Sequence, residues 1–211
     1  QAGAELYWRP FGYGDGRYVE VYGGAFQTLW TKGSAPSGGD TTQALVGVRA
    51  KPLRDANLVL SFERRIKVGH FANNDWLLRA GYSYSYGTDL RVDRPQWTTA
   101  QVYAEAGRFF SQRLTYATLE AQIGRSIRLD ALHPRLVLFP HLVLGADYNS
   151  RLPRGQRDAL GAGVGAGVRY WFNESRYSAP RSYLDLSLQY RARLGGDARG
   201  KGVFLRATLV Y

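Results

Sequence analysis

The most chemically suggestive feature of the sequence is a set of charges that share one side of alternating segments. They are Glu20, Arg49, Glu63, Arg65, Arg79, Glu105, Glu120, Arg128, Asp147, Arg169, Asp185, Arg191, Arg193 and Arg206. Mixed guanidiniums and carboxylates offer hydrogen bonds to a hydroxyl-rich or acidic glycan, and arginine forks suit carboxylates in particular. The same set equally describes an internal salt-bridge network, since buried charges need partners whatever the function. Tyr103, Phe109 and Trp171 lie on that polar side. They would either stack on sugar rings or pack a narrow interior.

Signals for catalysis are sparse. The histidines are His70, His133 and His141. Only His141 falls inside an expected strand, on the face it shares with Asp147. There is no G-x-S-x-G elbow and no H-E-x-x-H pair. Alternate glycines at 161, 163, 165 and 167 lead into no helix that would make a phosphate loop. With no cysteine, disulfides and zinc fingers are excluded. No catalytic residue, metal site or cofactor is therefore expected. A hydrolase ranks third among the readings, and it would require His141→Ala to abolish turnover of an envelope lipid or peptide.

These residues must be positioned by strands, because the dominant pattern has a period of two. Over 117–129, Ala117, Leu119, Ala121, Ile123, Ile127 and Leu129 oppose Thr118, Glu120, Gln122, Gly124, Ser126 and Arg128. Over 182–194, Leu184, Leu186, Leu188, Tyr190, Ala192 and Leu194 oppose Asp185, Ser187, Gln189, Arg191 and Arg193. The pattern predicts strands near 18–30, 42–51, 56–65, 75–86, 99–110, 115–129, 136–148, 159–172, 181–194 and 201–211, with a shorter one at 3–9. Turn signals such as 32–40 and Gly195-Gly196-Asp197 separate them. Nothing marks a second domain, so 1–211 reads as one all-β unit. The glycine stripe at 161–167 would allow curvature, or close approach by a plug, a polymer or a neighbouring aromatic.

A soluble sandwich shows the same alternation with its apolar face inward. Four features favour an antiparallel transmembrane β-barrel of about 10–12 strands. Many segments reach membrane-spanning length, whereas globular strands usually run to about five or six residues. Trp76, Tyr84, Tyr86, Tyr148, Tyr170, Phe172 and Tyr211 stand near the ends of apolar faces, as interfacial girdles do. The polar faces mix both signs of charge with glycine and serine. The last strand alternates to a terminal aromatic. Arg125 interrupts an apolar face between Ile123 and Ile127, which places it near a rim, at a bulge or against a partner. No apolar run approaches the roughly 20 residues of a spanning helix. The net charge of +11 suggests anionic partners, but without a dense basic run nucleic acid is not expected. The chain also lacks methionine, as a processed protein or an excised segment would.

Several blocks stand in a recognisable order: 51–58 (KPLRDANL), 75–80 (DWLLRA), 102–108 (VYAEAGR), 169–172 (RYWF), 179–185 (APRSYLD) and 189–196 (QYRARLGG). Together they resemble the C-terminal domain of the bacteriophage N4 adsorption protein A family. That resemblance implies a bacterial outer-membrane protein, in contact with outer-membrane lipid and lipopolysaccharide. Periplasmic helical repeats would precede the barrel, and this chain contains none. It also implies an exopolysaccharide system, an inner-membrane glycosyltransferase partner and use of the surface by a phage tail protein. Two functions follow as expectations. One is a passive route or docking ring for a glycan, also usable as a phage receptor. The other is a non-conducting structural or receptor barrel with a salt-bridge-filled lumen.

Overall fold

The computed structural model describes residues 2–29, 37–91, 93–172 and 182–210. These form β1 (Ala2–Gly12), β2 (Tyr18–Thr28), β3 (Gly38–Lys51), β4 (Asn57–Lys67), β5 (Asp75–Tyr86), β6 (Gln96–Phe109), β7 (Leu114–Arg128), β8 (Leu136–Asn149), β9 (Asp158–Phe172), β10 (Ser182–Gly196) and β11 (Gly202–Val210). A short 3-10 turn, Ala198–Gly200, links the last two. The protein is all-β, and each strand pairs with its sequence neighbours in one sheet ordered β1 to β11. No pairing of β11 with β1 is found among the described residues.

Antiparallel neighbours in simple order need only local turns, and the alternation fixes their register. A slip of one residue would exchange the two faces of a strand. Thus Leu186 pairs with Val168 and Ala207, while Ser187 pairs with Gly167 and Arg206. Like faces like along most of β9–β11, with Gln189 opposite Phe204 as an exception. The register shifts between Trp8 and Phe11, at Pro10, which has no N–H for the ladder. It shifts again between Arg193 and Gly195.

The expected segments all appear as strands. β3 and β6 start earlier than their alternation suggested, at Gly38 and Gln96. The first residues of β3 are glycine or polar and carry no hydrophobic signal, while β6 opens on Gln96, Trp97 and Thr98, whose Trp97 falls on the otherwise polar face and so does not extend the apolar alternation. Residue 30, most of the 32–40 turn, 179–181 of the family-like block and Tyr211 lie outside the described residues.

The chain forms two compact units. The first comprises Gln1–Tyr82 with Glu105–Tyr116, and the second Ser83–Ala104 with Ala117–Tyr211. In the first, Leu77, Glu63 and Asp75 are fully buried. In the second, Trp97, Val137 and Trp171 form a buried cluster flanked by Leu90 and Tyr183. Trp97 Nε1 donates to the Gly87 carbonyl at 2.7 Å. Gly87 itself has φ 62°, which favours glycine there.

Both units bury the polar face and expose the apolar one. On β10, Leu186 and Leu188 are 50% and 55% exposed, while Ser187 and Gln189 are 3% and 4% exposed. On β4, Leu60 and Phe62 are exposed while Ser61 and Glu63 are buried. On β8, Leu142 and Leu144 are exposed while His141 and Val143 are buried. A protein folding in water alone would do the reverse.

Candidate functional site on the buried polar face

In the first unit, carboxylates are held by arginines from their own and neighbouring strands. Glu20 on β2 takes Arg9 of β1 and Arg49 of β3 as partners. Arg49 also lies 4.0 Å from the ring centre of Tyr7. Glu63 on β4 accepts from the Tyr22 hydroxyl at 2.7 Å and from Arg65 Nε at 2.7 Å, with Arg79 at 3.9 Å. Arg79 Nε donates to Ser61 at 3.2 Å. The Tyr116 hydroxyl donates to Glu105 at 2.8 Å. Phe109 packs 6.0 Å from Tyr116 and has Arg65 4.8 Å from its ring centre. A cavity of 270 Å³ opens beside Glu63, Arg65 and Arg79, with Glu5 and Phe26 on its wall.

In the second unit, Glu120 on β7 is paired with Arg191 of β10 and with Arg206 of β11, the latter at 3.0 Å. Gln122 Nε2 donates to Glu120 at 2.6 Å. Arg169 on β9 pairs with Asp185 at 3.0 Å and donates to the Thr88 carbonyl at 3.1 Å. Its guanidinium lies 4.3 Å from the Tyr183 ring centre and 5.6 Å from that of Trp171. Above these residues is a cavity of 580 Å³. Ser83, Ser85, Gln101, Tyr103, Glu120, Gln122, Arg169, Trp171, Tyr183 and Arg206 line it. Hydroxyls, amides, paired charges and aromatic rings on one concave wall suit a polyhydroxylated ligand. Tyr103 is 48% exposed here, whereas Trp171 is buried, with the Trp97–Val137 cluster behind it.

The remaining candidates sit at strand ends. Arg128 bonds Asp130 through Nε at 2.7 Å and Nη2 at 2.8 Å. Asp147 and Arg193 are exposed, the second beside the register shift of β10, and neither has an ion pair among the described residues. Alternation assigns them to the polar face but says nothing about how far along the strand burial extends.

His141 is buried and serves packing contacts. Its Nδ1 is 2.9 Å from the Phe139 carbonyl, which can only accept, so Nδ1 donates. Nε2 is thereby left to accept from Gln189 Nε2, 3.3 Å away. The ring stacks on Phe139 with centroids 4.7 Å apart. It occupies the space that a side chain at 165 would fill, since a Cβ on Gly165 would lie 2.5 Å from Nε2. Likewise a Cβ on Gly145 would lie 2.1 Å from Arg191 Nη1, and one on Gly107 2.6 Å from the Tyr116 ring. Bare glycines thus admit large polar side chains of the adjacent strand or, for Arg191 at Gly145, of the next but one.

Sequence reasoning missed Tyr22, Tyr116, Gln122 and Gln189 as carboxylate or arginine partners. All four lie on polar faces, and pairing them required knowing strand register. It also missed Asp75. That buried carboxylate accepts backbone N–H bonds from Trp76, Ser111 and Gln112 at 2.7, 2.8 and 3.1 Å, fixing the β6–β7 turn.

The apolar faces carry arginines as well. Arg125 on β7 is exposed, close to the strand end at Arg128. Trp76, Tyr84, Tyr86, Tyr148 and Tyr170 are exposed aromatics on these faces.

The fold and the site together define an all-β antiparallel sheet with an ion-paired polar face and an exposed apolar face. The chain belongs to the family described as Bacteriophage N adsorption protein A C-term, whose model matches residues 34–207. No curated protein matches the chain, and no solved structure does.

Proposed function

We propose that the chain is a β-barrel of the bacterial outer membrane that gives a glycan a polar route or docking ring, and that a phage tail protein uses it as a receptor. The observation that carries this reading is the inversion of the faces. The enclosed polar-face carboxylates Glu20, Glu63, Glu105, Glu120 and Asp185 all have donors, while rows of leucine and tyrosine are exposed with nothing over them. Lipid is the medium in which that arrangement is favourable, and a barrel closed by strand pairing is the β-form that lipid accepts. Strand length agrees. β6 and β8 have 14 residues. At about 3.4 Å per residue and a tilt of about 40°, such a strand advances about 36 Å, more than the apolar band of about 25 Å.

The 580 Å³ cavity supports the glycan part of the reading. Its mechanism is passive: the protein binds and guides, and the driving force comes from polymer synthesis by an inner-membrane glycosyltransferase partner. No catalytic step is assigned to it. The family's phage adsorption name supports the receptor role.

One observation favours a second reading. The arginines Arg49, Arg65, Arg79, Arg169, Arg191 and Arg206 are all tied to carboxylates. That network would equally suit a filled, non-conducting receptor barrel. Planar-bilayer conductance, with heat-modifiable migration on a gel, tests the two. Heat-modifiability with steady, polymer-blockable current supports the route. Heat-modifiability without current supports the filled receptor. Failure of both refutes the membrane barrel.

A further inference from the structure

In the first unit, one patch of the apolar face differs from the rest. Phe62 on β4 stacks on Trp76 of β5, with centroids 5.0 Å apart and planes 7° from parallel. Arg64, also on β4, lies 5.2 Å from the Trp76 ring centre. On the far side of Trp76 runs the end of β6, tied to it by the Phe110 N–H to Trp76 carbonyl bond at 3.0 Å. Alternation puts Arg108 of that strand on the same face, and it is exposed. Two arginines therefore flank one tryptophan near the ends of their strands. Neither is in an ion pair among the described residues, whereas the polar-face arginines Arg49, Arg65 and Arg79 each have a carboxylate.

An unpaired guanidinium beside hydrocarbon is costly, and near the interface the cost falls because a headgroup anion can meet it. Tryptophan prefers that same level. Strands β4 and β6 are two steps apart in the sheet, which separates their same-face side chains by roughly 10 Å. One phosphate cannot engage both guanidiniums at that spacing. A disaccharide with a phosphate at each end can bridge it, its acyl chains lying along Phe62, Leu60 and Leu78, which are exposed on the same face further from the strand ends. We infer that Arg64, Trp76 and Arg108 form a binding site for a bisphosphorylated glycolipid headgroup of the lipid A type. The inference rests on the membrane reading above.

The test is native mass spectrometry of the intact, delipidated protein in detergent. It is titrated with bisphosphorylated lipid A, with monophosphorylated lipid A and with phosphatidylglycerol. The site predicts one saturable adduct for bisphosphorylated lipid A, with the monophosphorylated form and phosphatidylglycerol binding about tenfold more weakly or less. Arg64→Gln and Arg108→Gln should each weaken the adduct about tenfold, the size expected for losing a charge-assisted contact. Arg125→Gln, in the other unit, should leave it intact. Equal binding of phosphatidylglycerol and bisphosphorylated lipid A by the unaltered protein would overturn the site. So would heat-modifiable Arg64→Gln/Arg108→Gln protein with undiminished binding. In both cases the barrel reading would stand. A protein that fails to enter bilayers at all would remove the reading and the site together.

Discussion

The Tyr22 hydroxyl donates to Glu63 at 2.7 Å across strands β2 and β4, and Glu63 is only 1% exposed. A carboxylate so enclosed depends on its donors, because burying a charge without partners costs several kcal/mol. Tyr22→Phe should lower stability by about 1–3 kcal/mol, the range for orphaning a buried acceptor. The urea midpoint of heat-modifiable protein in detergent measures this. An unchanged midpoint would mean that Arg65 and Arg79 alone satisfy Glu63.

Two glycines should respond differently to the same small change. A Cβ at Gly163 would lie 1.8 Å from the Tyr190 carbonyl oxygen, a backbone atom fixed by the ladder. At Gly145 the obstacle is the end of the flexible Arg191 side chain. Gly163→Ala should therefore cost more than Gly145→Ala, by about 1–3 kcal/mol, as overpacking does. Comparing the two urea midpoints checks the ranking. Equal costs would show that the β9–β10 backbone yields as readily as a side chain.

Glu120 neutralises both Arg191 and Arg206 at the wall of the larger cavity. On the open-route reading, Glu120→Gln leaves two uncompensated guanidiniums there. The reversal potential in a salt gradient should shift toward anion selectivity. A conducting variant with unchanged selectivity would place the cavity off the ion path.

Asp197 lies in the turn before β11 and caps it by accepting from the Arg199 N–H at 3.0 Å. The backbone N–H of Arg199, then its side chain, hold the Asp197 carboxyl below its ordinary value of 3.8. A lowered folded-state pKa means that the cap's contribution is fully present above that ordinary value. It is lost as the pH falls through the lowered one. Hydrogen exchange at the Arg199 amide should therefore lose protection only in strong acid. Asp197→Asn should flatten that pH dependence, and an unaltered profile would show that the carboxyl does not cap the turn.

Much of the fold was legible because alternation is a local property. Leu184 to Leu194 and Ala117 to Ile127 announce their faces with no knowledge of their neighbours. The start at Gly38 was not legible, since only glycine and polar residues stand there, and the start at Gln96 was not, since the apolar residue beside it, Trp97, lies on the polar face and breaks the alternation. The site was legible by face and not by partner. Glu120 was recognisable as a polar-face charge, but its bond to Arg206 spans 86 residues and depends on the stacking order of β7, β10 and β11. Asp147 and Arg193 show the opposite limit. Alternation continues to the end of a strand, while burial stops sooner. The arginines of the apolar face were half legible: Arg125 stood out as an interruption, whereas Arg64 and Arg108 stood out only once Trp76 lay between their strands.

In the proposed membrane barrel, the leucine rows meet lipid and the polar rows do not. The sequence has no cysteine, so single cysteines can be spin-labelled without background. Labels at 184 to 189 on β10, in the intact protein reconstituted in bilayers, report accessibility to oxygen and to a water-soluble nickel chelate. A membrane barrel should give high oxygen and low nickel accessibility at Leu184, Leu186 and Leu188, and low oxygen accessibility at Asp185, Ser187 and Gln189. Oxygen accessibility that fails to alternate, or nickel access at the leucine positions, would contradict it.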